Sequence, residues 1–273
     1  MSGQTSLRIG SAGFGVLFVV LTAGFLFGWS PVTALWPFFL DETRLGHYFI
    51  ASITIAIALP ALWTAATGAI RGAAAGAMDL VVMFGAMTYY LLDRRAETGR
   101  DGLLWYAVGA AVLGVAMLSS YLYTRRQPWV DPQPLPGPVL VAFIVFALAL
   151  ITVGTMLVMQ RPHVFPWPLA PESSVMYGLI FYGAAVYFVI GAIDRRWEGA
   201  TGQLIGFLAY DLVLIVPFAQ HFGRVAPAHR TSLIIYTLVL LISGGLAIYY
   251  LLVDPRTRLV GARDRTLMGG APA

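Results

Sequence analysis

Long apolar runs alternate with short polar segments along almost the whole chain. Eight such runs, at 10–30, 47–68, 73–93, 102–124, 138–159, 174–193, 200–222 and 231–252, hold roughly 20 residues each, and only two acidic residues, Asp79 and Asp211, fall in their interiors. A helix rises about 1.5 Å per residue, so each run is long enough to cross a hydrocarbon core of about 30 Å. The pattern predicts an all-α integral membrane protein of about eight transmembrane helices. The first run is longer than the apolar region of a signal peptide and no small-residue cleavage site follows it, so it reads as a retained span.

An even number of spans places both ends of the chain on one side. If that side is the cytoplasm, ten arginines (Arg8, Arg71, Arg125, Arg126, Arg195, Arg196, Arg256, Arg258, Arg263 and Arg265) lie inside and seven (Arg44, Arg94, Arg95, Arg100, Arg161, Arg224 and Arg230) lie outside. The bias favours cytoplasmic termini in a bacterial-type cytoplasmic membrane. The segment 93–101, DRRAETGRD, runs against it by placing three arginines outside.

The Pro-rich stretch 127–138 (QPWVDPQPLPGP) cannot be helical throughout, because each proline removes a backbone donor and restricts its predecessor. It divides the chain into a four-span unit at 1–126, a linker at 127–138, a second four-span unit at 139–253 and a basic tail at 254–273. The two units resemble each other. Trp36-Pro37-Phe38-Phe39-Leu40 precedes the second span and Phe165-Pro166-Trp167-Pro168-Leu169 the sixth, 129 residues apart. AMDLV at 77–81 and AYDLV at 209–213 are 132 apart, a difference that one small insertion near 194–200 reconciles. Four spans return the chain to its starting side, so the expectation is two parallel repeats about a pseudo-twofold axis along the membrane normal, each giving one aspartate on its third span.

A carboxylate in hydrocarbon costs at least about 2.5 kcal/mol, which makes Asp79 and Asp211 the first candidates for function. Gly72, Gly76, Asp79, Met83 and Ala86 form one helical stripe of mostly small residues, so Asp79 is expected to face the bundle interior. Gln203 and Tyr210 accompany Asp211, whose other helical neighbours, Phe207, Leu214, Ile215 and Phe218, are apolar. The carboxylates could line a proton or cation pathway or bind a polar group of a lipid-like substrate. They could also hold helices together, with Tyr89, Tyr90, Tyr182 or Tyr187 as partners. Pro60 interrupts the second span beside Thr64 and Thr67, whose hydroxyls can satisfy freed backbone groups, so these three are secondary candidates. His47, His163, His221 and His229 all fall at the outer ends of spans. His47 and His221 form the one pair at matched depth, a weak metal candidate, and interfacial placement explains all four equally well.

Composition removes other classes. Hydrophobic residues are 59% of the chain and charged residues 11%, against about 25% charged in an average soluble domain. There is no cysteine, so disulfides, thiolate metal sites and cysteine nucleophiles are excluded. All 17 basic residues are arginine, so no lysine can form a Schiff base. There is no Walker-type loop and no GxSxG, and the net charge of +4 is dispersed over loops and tail, which argues against nucleic-acid binding. No cofactor is expected. The bilayer is the expected partner, together with other membrane subunits or a homo-oligomer. The leading functional expectation is a small proton- or cation-coupled permease built on Asp79 and Asp211. A non-catalytic subunit of a larger membrane complex and a lipid-modifying enzyme are the alternatives.

Overall fold

The computed structural model describes residues 3–40 and 44–259. Among the described residues the secondary structure is helical, with no strand beyond one isolated bridge between Pro134 and Arg196. Eight helices are long and apolar enough to cross a membrane. In chain order, α1 is Gly3–Phe27 and α2 is a single turn, Ser30–Thr33; α3 is Leu45–Thr67 and α4 is Ala74–Thr98, entered through a 3₁₀ turn at Arg71–Ala73. Then come α5 (Leu103–Thr124), α6 (Gly137–Val158), α7 (Pro171–Asp194), α8 (Trp197–His221) and α9 (Arg230–Ile248), which ends in a π turn, Tyr249–Val253.

Several spans run past their apolar segments for local reasons. α4 continues through 94–98 because Arg94 pairs with Glu97 one turn on and Thr98 Oγ donates to the Arg94 carbonyl. It stops at Gly99, whose φ of 68° suits a residue without Cβ. The basic tail at 254–273 lies largely outside the described residues, from 260 onward.

The helices pack in antiparallel pairs of sequence neighbours: α1 on α3, α4 on α5, α6 on α7 and α8 on α9. The two halves meet through α3 against α8 and α4 against α7. Exchanging the first half for the second turns each of these packed pairs into another of them. The inner helices α3, α4, α7 and α8 carry most of the buried residues, while α1, α5, α6 and α9 present Val16, Trp105, Val112, Leu148 and Ile242 outward, as a bilayer-facing surface requires. Small residues set the closest approaches. A Cβ on Gly178 would stand 2.7 Å from the Gly154 carbonyl oxygen, so α6 and α7 touch backbone to backbone there.

The two ends of the bundle are built differently. On the N-terminal side, Glu198 is 2% exposed and its carboxylate accepts three backbone N–H groups: Gly72 at 3.2 Å, Val130 at 2.6 Å and Asp131 at 2.8 Å. Arg71 pairs with Asp194 at 3.5 Å and lies over the Trp129 ring, so the Pro-rich linker is fastened to the α7–α8 turn. On the opposite side, Arg94 pairs with Glu172 and the Arg100 guanidinium donates to the Pro37 carbonyl. The segment 93–101 therefore lies on the side opposite the N-terminus, as the eight-span order requires.

The aromatic–proline segment before α7 turns into the bundle. Phe165 and Trp167 are each 1% exposed and insert into the bundle, packing with Phe49, Tyr177, Phe181 and Phe218. This aromatic plug fills the half of the bundle away from the N-terminus.

Candidate functional site

A cavity of about 720 Å³ occupies the bundle centre, and every one of the eight spans contributes to its wall. It extends from mid-depth, at Asp211, Tyr236 and Ser243, to the N-terminal side, at Gly3, Ser6 and Tyr123. The aromatic plug lies beyond its inner end. Apolar side chains make most of the wall, and Asp79 and Asp211 are its only charged residues among those described.

The structure brings together most of the residues singled out from the sequence. Asp79, Asp211, Gln203, Tyr210, Pro60 and Thr64 all line this cavity. Thr67 does not. It is exposed at the end of α3, where its hydroxyl donates to the Trp63 carbonyl and accepts from the Ala69 N–H. His47 and His221 lie on the far side of the plug, away from the cavity, and His221 Nε2 is 3.2 Å from the Pro166 carbonyl, to which it donates. The closest histidine pair is a different one, His163 and His229, at 3.5 Å between Nδ1 and Nε2. Since a carbonyl only accepts, His229 Nδ1 is the protonated nitrogen in its 2.7 Å bond to Phe165, which leaves Nε2 to accept from His163. These imidazoles anchor the plug loop. Among the described residues no group of three or more histidines and carboxylates is arranged to hold a metal.

The two aspartates occupy different settings. Asp211 is 5% exposed, and both its oxygens stand within hydrogen-bond reach of the Ser243 hydroxyl on α9, at 3.0 and 2.9 Å, whose single proton also has the Val239 carbonyl in reach at 2.7 Å. None of the tyrosines considered as partners takes that place. A Cβ on Gly244 would come to 3.2 Å from Asp211 Oδ2, so the small residue beside Ser243 makes room for the carboxylate. Asp79 is only partly buried and makes no hydrogen bond or ion pair among the described residues. Its Oδ1 lies against Gly183 of α7, where a Cβ would stand 2.4 Å away.

They also differ in depth. The Tyr187 side chain reaches both Gly76 and Gly202, and Gly72 bonds Glu198, so α4 and α8 run level at Gly72 with Glu198 and at Gly76 with Gly202. Asp79 is then nearly one turn past that level and Asp211 two and a half turns, a difference of about 9 Å at 1.5 Å per residue. The sequence match that paired them by position is not a match of depth.

At two of the candidate residues the structure adds what the sequence did not show. Pro60 has no N–H to offer the Ala56 carbonyl, which points instead at α8, where a Cβ on Gly206 would be 2.8 Å from it. The proline on one helix and the glycine on the other are thus one device, and both border the cavity. Gln203 is 3% exposed and neither its amide oxygen nor its nitrogen has a partner among the described residues. Only its position inside a membrane span marked it in the sequence.

No protein-family model matches the chain, and neither a curated protein nor a solved structure matches it. The chain is a multi-pass, all-α membrane protein, and what it does has to be argued from the cavity.

Proposed function

We propose that the protein is a small carrier that moves a largely apolar solute across the membrane, with Asp79 and Asp211 taking part in proton or cation coupling. The observation that carries this reading is the cavity. It is within the 300–1,000 Å³ typical of small-molecule sites, its wall is mainly apolar, and a few polar groups converge in it, among them both intramembrane carboxylates. A bundle that served only as scaffold would gain by filling this space, because unfilled volume forfeits packing energy. The asymmetry along the normal suits alternating access: solvent can enter from the N-terminal side while the plug seals the other. Under the arginine bias the N-terminal side is the cytoplasm, and the cavity is then inward-facing.

The same reading takes the two halves as a tandem duplication. The exchange of helix contacts between halves supports it, since rocking of one half against the other is then the natural motion.

Single cysteines test the reading, because the chain has none of its own. Cysteines replacing Asp79 and Asp211 are expected to react with a small hydrophilic thiol reagent added from the Arg195 side, with a cysteine at Arg195 as the control for that side and one at Arg95 as the control for the other. Protection of both cavity positions while the controls react would remove the aqueous route and favour the scaffold.

A further inference from the structure

The cavity's chemistry also narrows what it can take. We propose that the solute is a lipophilic organic monocation, such as a protonated amine on an apolar body, with its charge held at Asp79. This deepens the carrier reading and rests on it.

The first argument is charge. Among the described residues two carboxylates line the cavity and no arginine or histidine does. A cation can pair with a carboxylate in this low-dielectric space, where the attraction is strong, and an anion finds no cationic partner there. A neutral solute can form no ion pair with Asp79. Asp79 is the available group, because Asp211 is buried against Ser243 while Asp79 is only partly buried and makes no hydrogen bond or ion pair among the described residues.

The second argument is the wall itself. Trp63, Phe146, Tyr187, Phe207 and Tyr210 line the space, and ring faces attract cations as well as apolar surface. A bare metal cation is a poor fit. Calcium takes 6–8 oxygen ligands and magnesium a near-octahedral set, and no such cluster exists among the described residues.

The test is equilibrium binding of tetraphenylphosphonium to the purified full chain in detergent, with tetraphenylborate, of similar shape and opposite charge, as comparison. The expected result is saturable binding of one phosphonium per chain, displaced by a protonated amphiphilic amine and not by the borate. Asp79→Asn is expected to weaken it about 30-fold or more, the loss typical when one partner of a buried charge pair is removed, and Asp79→Glu to retain most of it. Equal displacement by the borate, or an unchanged affinity in a folded Asp79→Asn protein, overturns the proposal. If Asp79→Asn does not fold, Ala184→Phe, which fills the cavity from α7, must abolish binding, and unchanged binding overturns the site. Absence of phosphonium binding while a cysteine at position 79 reacts with the hydrophilic reagent overturns the cation assignment and leaves the carrier reading standing. Absence of both overturns the two together.

Discussion

Replacing Gly183 by alanine probes the contact that fixes Asp79. In a helix interior, glycine to alanine normally stabilises by about 1 kcal/mol through backbone entropy. At Gly183 the added methyl would stand 2.4 Å from Asp79 Oδ1, 2.8 Å from the Asp79 carbonyl oxygen and 2.9 Å from Met83 Cβ. The carboxylate can rotate away, but the carbonyl and the Cβ belong to the frame of α4, so the two helices must separate. Overpacking of this kind costs about 1–3 kcal/mol. Gly85, on the same helix as Asp79, is the control, because a Cβ there meets nothing within 4 Å. Since both substitutions share the propensity gain, the difference between them isolates the packing cost. At about 2–4 °C per kcal/mol for a chain of this size, Gly183→Ala should melt roughly 2–12 °C below Gly85→Ala. The assay is thermal unfolding in detergent followed by tryptophan fluorescence. Coincident melting of the two variants would refute the close α4–α7 approach and with it the placement of Asp79.

Glu198→Ala strips the acceptor from three backbone N–H groups, and at about 1–3 kcal/mol for each donor left unsatisfied the loss should exceed that of any cavity substitution. Glu198→Gln keeps one acceptor oxygen and should lose less in the same melting assay. Phe165→Ala removes a buried ring from the plug, with a stability cost of about 3–5 kcal/mol. It should also make a cysteine at position 211 reactive from the side opposite the N-terminus. Labelling that stays confined to the N-terminal side would show that the plug is not the seal.

The eight spans were legible in the sequence because the bilayer imposes a length and an apolarity on each helix that any partner arrangement must obey. The same logic exposed Asp79, Asp211 and Gln203, since a polar group in hydrocarbon stands out wherever it points. Glu198 was less visible: it sits two residues before the seventh apolar run, and only folding buries it and brings Gly72, Val130 and Asp131 to its carboxylate. The histidine contacts were likewise hidden. Pairing His47 with His221 followed depth along separate spans, whereas His229 meets His163 and Phe165 because the loop before α7 turns inward, with Gln160 and His163 at positive φ. The aspartates looked equivalent because local sequence recurs around them, yet Asp211 faces Ser243 and Asp79 faces Gly183 and open cavity. Hydropathy is a property of each segment and is written in its residues. Which groups converge on one cavity depends on helix rotation, depth and partner, and those are fixed by contacts between segments distant in the chain.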